Sequence, residues 1–203
     1  MPLMGELVME DLESMTASAA RGDTTALRGI YEALSPRICG YLRMRGSEDP
    51  EGLTNDVFVK VLPRVAEVAG GYRGLRALTF TVAHGLLVDE LRRRDRRPAM
   101  QSYDPTVDTR VQPSAEQQAL DQLGEGTALT LLDLLPEDQR SVILLRVLGD
   151  LTVDETATAI GRSQAAVMKT QARALTTLRR LLDSDRRRPR TSRDEVSHEH
   201  GHA

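Results

Sequence analysis

Residues 151–182, LTVDETATAIGRSQAAVMKTQARALTTLRRLL, decide which fold this chain adopts. Thr152 and Glu155 have the spacing of a capping box, in which a hydroxyl accepts from the backbone N–H three residues on and the carboxylate reaches back. Gly161, two helical turns later, is the residue type that closes a helix in the left-handed conformation. Ser163 then stands where a second helix needs its N-cap, and Val167, Ala174, Leu175, Leu178 and Leu182 supply that helix with an inward side. A short helix, a turn containing glycine and a longer helix with a polar or small front form a helix-turn-helix pattern. Gln164, Lys169 and Arg173 at that front carry the chemistry that reads adenine edges, guanine edges and phosphates. The same spacing also fits an ordinary capped helix pair whose outward charges are merely solvated.

Upstream of this stretch the helical period continues. PEDQRSVILLRVLG, residues 136–149, predicts another helix, and TALTLLDLLP at 127–136 completes a segment that starts at Ser114, whose spacing to Gln117 is again that of a capping box. The GEG at 124–126 is a possible interruption. Residues 99–113 contain Pro105 and Pro113 without any sustained period, and they read as a linker. In the first part of the chain, helices are predicted at about 5–20, from the N-cap Asp23 to about Arg45 with a kink at Pro36, and from Pro50 onward with Asp49 as N-cap. Leu53, Val57, Val61 and Val65 recur every four residues and make one face. GGYRG at 70–74 predicts a break, and a fourth helix from Leu75 carries Leu78, Val82, Leu86 and Leu87 inward until Pro98 closes it. No stretch alternates as a strand would. The expected architecture is all-α: two small helical domains, 1–98 and 114–182, joined by a flexible linker at 99–113, with a disordered polar tail at 183–203.

Composition narrows the function classes. Hydrophobic residues make up 40% of the 203-residue chain and charged residues 28%, and no window approaches the apolar length a membrane span needs, so membrane insertion is not expected. The N-terminal MPLMGELVMEDLESM has no basic start, apolar core or small-residue cleavage site, which predicts a cytoplasmic protein. The single cysteine, Cys39, sits between apolar residues and reads as a buried thiol in a reducing compartment. With aromatics at 3% and no Trp, the core must be built from Leu, Val, Ile and Ala. The net charge of -3 hides a strong asymmetry: acids dominate the first sixty residues, while DELRRRDRRP places five arginines between 92 and 97. An arginine run at a helix C-terminus favours the helix dipole, and it also suits phosphate.

Taken together, both halves resemble a bacterial sigma factor of the extracytoplasmic-function type, which keeps regions 2 and 4. DPEGLTNDVFVKVLPRV is similar to the polymerase-binding helix of region 2, and YRGLRALTFTVAHGLLVDELRRRDRRP to its promoter-melting and -10 recognition helices. LLPEDQR followed by the helix-turn-helix resembles region 4. The resemblance spans roughly residues 10 to 182. It implies core RNA polymerase and promoter DNA as partners, with an anti-sigma factor or other regulator besides. By position it places Arg76, Thr79, His84, Asp89, Arg92, Arg93, Arg94, Arg96 and Arg97 at the -10 element. It places Arg162, Ser163, Gln164, Lys169, Thr170 and Arg173 at the -35 element, and Asp49, Glu51, Asn55 and Asp56 against polymerase. The chain departs from the family pattern at Leu78, where Trp is usual, at Gly85 and Gly52, and at Met168, a position often basic.

No catalytic set, phosphate loop or cofactor fingerprint is present, so a non-enzymatic protein with no cofactor and no metal is expected. His198, His200 and His202 alternate in the tail, where nothing preorganises them as ligands. Two other classes fit parts of the sequence: a helix-turn-helix regulator acting without polymerase, which would normally dimerise on a palindrome, and a sigma-like interaction module that sequesters a regulator.

Overall fold

The computed structural model describes residues 4–96 and 130–187. The expected linker at 99–113, the capping box at Ser114, the GEG at 124–126, Arg97 and the tail histidines lie outside the described residues. Among the described residues every regular element is helical.

The first half contains α1 (Met4–Ala20), α2 (Thr24–Met44), α3 (Pro50–Val61), a 3-10 turn at Leu62–Glu67 and α4 (Gly71–Arg96). Asp23 caps α2, its carboxylate accepting from the backbone N–H groups of Thr25 and Ala26, and Asp49 caps α3 by accepting from Gly52 at 2.8 Å. Pro36 does not end α2, which runs unbroken through it. Pro63 has no N–H to continue the i to i-4 ladder, so the third helix tightens into the 3-10 turn after Val61. Leu53, Val57, Val61 and Val65 are all buried as their spacing predicts. They meet Ile30, Leu34, Ile38 and Leu42 of α2, and the few aromatics join in, with Tyr31 edge-on to Phe58 at 4.7 Å and Tyr41 edge-on to Phe80 at 5.8 Å.

Two expectations for α4 need correction. The glycines at 70–74 do not break the chain there; α4 begins at Gly71, with Glu13 of α1 accepting from the Tyr72 N–H at 2.7 Å in place of a local cap. Its buried apolar positions are Tyr72, Leu75, Phe80, Ala83 and Leu87, whereas Leu78, Val82 and Leu86 are only partly buried. The reason is that α4 is covered on two sides, by its own bundle and by the second half of the chain.

That second half consists of a helical stretch at 130–133, α5 (Glu137–Val147), α6 (Val153–Ile160) and α7 (Gln164–Arg187). Val142, Ala157 and Val167 pack together, as do Leu135, Ile143 and Ala174. Leu144, Leu145 and Leu151 turn the other way and belong to the core of the first half. Leu175 and Leu182, expected inward on α7, are each 40% exposed; the short α5 and α6 cover only part of this longer helix. Cys39 is also not fully buried, since its thiol lies among the exposed side chains of Arg43 and Glu51.

Candidate nucleic-acid interface

The helix-turn-helix is fixed by local chemistry. Thr152 Oγ1 accepts from the Glu155 N–H at 3.1 Å while Glu155 Oε2 accepts from the Thr152 N–H at 2.6 Å, which makes the capping box complete. Gly161 adopts φ 65° and ψ 38°, a left-handed geometry that a Cβ would strain. Ser163 Oγ then accepts from the Ala166 N–H at 3.3 Å and starts α7. Val142, Ala157 and Val167 clamp the three helices at the turn, so the front of α7 is held rigidly. On that front Arg162, Ser163, Gln164, Lys169 and Arg173 are exposed together with Met168. Gln164 Nε2 donates to Asp154 Oδ1 at 2.6 Å, which orients its amide. Thr170 differs from the others: at 9% exposure it faces inward, lining a cleft of about 390 Å³ with Arg45, His84 and Ser141.

The C-terminal end of α4 presents the second cationic surface. Arg92, Arg93, Arg94 and Arg96 are exposed. Arg93 Nε donates to the Asp89 carbonyl at 3.2 Å, Arg96 Nε to the Arg92 carbonyl at 3.0 Å, and Arg94 to the Gly46 carbonyl at 3.1 Å. The Arg93 and Arg96 bonds reach back one turn to carbonyls of the same helix, the Arg94 bond reaches the turn after α2, and the remaining guanidinium donors lie at an exposed surface. Asp89 lies 4.0 Å from Arg92, a solvent-exposed pair that holds little energy.

Farther up α4 the expected DNA-facing residues are covered. Arg76 is enclosed, donating to Asp150 Oδ2 and to the Asp150 carbonyl, both at 2.8 Å. Thr79 is fully buried with its hydroxyl on the Leu75 carbonyl. His84 shares a 2.8 Å hydrogen bond with Tyr41 Oη, and burial, aided by the charge of Arg45, pushes its pKa down to about 4. The imidazole is therefore neutral at pH 7.

The acidic surface at the start of α3 keeps its side chains in water. Asp49 is occupied as a cap; Glu51 pairs with Arg43 at 2.5 Å, and a backbone hydrogen bond together with that arginine lowers its pKa. Asn55 accepts from Tyr31 Oη at 3.1 Å, and Asp56 is exposed in a groove shared with Glu90, Arg93 and Arg94. Acidic and basic surfaces thus lie side by side where α3 begins and α4 ends.

Sequence reading missed Arg45. It sits at the C-cap of α2 with its side chain 3% exposed and donates to both the carbonyl and the carboxylate of Glu137, at 3.3 and 3.2 Å. No local signal marks it, because its partner is 92 residues away. Among the described residues no His, Cys, Asp and Glu group is placed to hold a metal ion, and no helix is long and apolar enough to cross a membrane.

Comparison with known proteins gives this geometry a context. Residues 126–178 match the family described as sigma-70, region 4. The chain is 30% identical over 179 residues to the ECF RNA polymerase sigma factor SigD of Mycobacterium tuberculosis, covering 84% of this chain and 83% of that one. It is 31% identical over 176 residues to ShbA of Streptomyces griseus, an ECF RNA polymerase sigma factor, covering 81% and 92%. With BldN of Streptomyces coelicolor, named likewise, it shares 29% identity over 171 residues, 83% of this chain and 65% of that longer protein. Among solved structures, CnrH in complex with the cytosolic domain of CnrY has the same fold, with a TM-score of 0.58 at 21% identity, covering 86% of this chain and 98% of that one.

Proposed function

Because this chain belongs to the extracytoplasmic-function RNA polymerase sigma factors, we propose that its two cationic surfaces are the two halves of a promoter-reading device. The factor joins core RNA polymerase and directs it to promoters. The front of α7, with Arg162, Ser163, Gln164, Lys169 and Arg173, reads the -35 element in the major groove. The end of α4, with Arg92, Arg93, Arg94 and Arg96, holds phosphates beside the -10 element. Asp49, Glu51, Asn55 and Asp56 form the surface for polymerase, and the protein itself does no covalent chemistry. An anti-sigma protein is the class of regulator that belongs with this reading.

The capped helix-turn-helix, with its polar front exposed and its apolar side locked, is the observation that carries the reading. Run-off transcription with purified core polymerase and a pool of genomic promoters tests it. Transcripts that depend on the added protein are expected, and their start sites define both elements. Absence of any transcript alongside normal polymerase binding would favour an interaction module; absence of binding would favour an independent DNA-binding regulator.

A further inference from the structure

Gln164, at the front of α7, is tied to a side chain of the neighbouring helix: its Nε2 donates to Asp154 Oδ1 at 2.6 Å. Both residues lead capped helices. Asp154 lies in the first turn of α6, which Thr152 and Glu155 close as a capping box, and Gln164 is the first residue of α7, which Ser163 caps. Ala157 and Val167 lock the two helices together beneath them. The two backbones are therefore fixed, and a bond between their side chains leaves Gln164 little rotamer freedom. Both side chains are nevertheless exposed, so neither adds to the core.

We propose that Asp154 is a positioning residue for base selection: it holds the Gln164 amide in the orientation that matches an adenine edge, and so sets adenine at one position of the -35 element. The inference rests on the reading of α7 as the -35 recognition helix.

Donors and acceptors carry the argument. A carboxylate only accepts, so Gln164 must turn its nitrogen, not its oxygen, toward Asp154. A free glutamine amide flips end for end; here the flip would set two oxygens against each other. Nε2 carries two hydrogens and gives one to Asp154, which leaves one N–H and Oε1 for a ligand. Adenine offers the major groove a matching pair, the N6 donor beside the N7 acceptor, whereas guanine offers two acceptors, O6 and N7. Against guanine, Oε1 would face O6 with no proton between them. The neighbouring side chains make no competing demand. Met168, one turn on and 60% exposed, and the exposed Ala165 have no donor for guanine, and an apolar surface suits the methyl group of the thymine paired with that adenine.

Asp154 gains nothing from DNA directly. With DNA against α7 its negative charge opposes the phosphates, so it lowers affinity while raising selectivity. A mere fastening between two helices would act differently: its loss would weaken binding at every position alike.

The test uses holoenzyme assembled from core polymerase and the full chain, as wild type, Asp154→Asn and Gln164→Ala. Each selects from double-stranded promoter fragments randomised across the -35 element, and the bound fragments are sequenced. Wild type is expected to prefer adenine to guanine about ten-fold at one position. Asparagine keeps the size of Asp154 but donates as well as accepts, so both amide orientations return. The preference at that position should fall to about three-fold or less, with the other positions unchanged and total affinity equal or higher. Gln164→Ala should abolish the preference at the same position, and adding Asp154→Asn to it should change nothing more. Asp154→Ser, which also donates and accepts, takes the place of the asparagine variant should that one not fold. An unchanged profile in the Asp154 variant, or selectivity lost evenly over all positions, would overturn the proposal, as would a base other than adenine at the position Gln164 reads. Failure of the functional reading looks different: the wild-type holoenzyme would enrich no -35 element at all, and this inference would fall with it.

Discussion

His84 and Arg173 illustrate how one side chain's surroundings set what can be measured on it. The unfolded chain protonates His84 near 6.5, whereas the folded protein resists until about 4, because burial and the neighbouring Arg45 disfavour the imidazolium. Between those values the unfolded state holds more protons, so stability rises with pH across that window and is lost as pH falls through it. The melting temperature should therefore drop between pH 7 and pH 5, and His84→Gln, which keeps an acceptor for Tyr41, should flatten the dependence; equal slopes in the two proteins would remove His84 as the cause. Arg173, exposed on α7, carries no such history of burial. Arg173→Ala should cost about 1 to 3 kcal/mol at one -35 base pair and relax selectivity there, read by binding to a set of single-base promoter variants. The caps Asp23, Asp49, Thr152 and Ser163 were legible in the sequence because each bonds a backbone N–H two or three residues away. Arg45 and Arg76 were not, since acids 92 and 74 residues distant decide their burial.

At the scale of elements, α4 is the instructive case. Its glycines permit a start that no standard cap supplies: a Cβ on Gly74 would lie 1.9 Å from the Ala69 carbonyl oxygen, so the turn at 68–70 closes against the first turn of α4 only if residue 74 is glycine. On Gly71 the clash would be with Glu13 Oε1 at 1.8 Å, the movable end of a side chain, in a backbone with φ 57°. Gly74→Ala should accordingly destabilise the fold by about 1 to 3 kcal/mol through overpacking against backbone, measured by urea denaturation. A wild-type midpoint in that variant would mean the turn yields freely. Helix existence along the chain was readable from apolar spacing, and α3 shows it best, with one buried face every four residues. The inward face of α4 was misjudged because a helix covered on two sides has apolar residues all round and no single stripe to follow.

For the whole molecule, surfaces sort by partner. Asp56, exposed midway along α3, should matter for polymerase and not for folding: Asp56→Arg should weaken holoenzyme assembly while leaving thermal stability nearly unchanged. Normal assembly in that variant would move the polymerase surface elsewhere. The order of the two helical halves, the helix-turn-helix and the exposed basic end of α4 were all readable from the sequence. The packing of the two halves against each other was not, because leucines that belong to a neighbouring half look the same in sequence as leucines that belong to their own.

The two-sided packing of α5 has a calorimetric consequence. Val142 and Ile143 anchor it in the second half while Leu144 and Leu145 anchor it in the first, so neither half can melt without taking a wall from the other. At low salt the chain should unfold as one cooperative unit, with van't Hoff and calorimetric enthalpies equal. Once the halves part, the heat-capacity peak should split in two, and the smaller, lower-melting component should be the helix-turn-helix deprived of its neighbour.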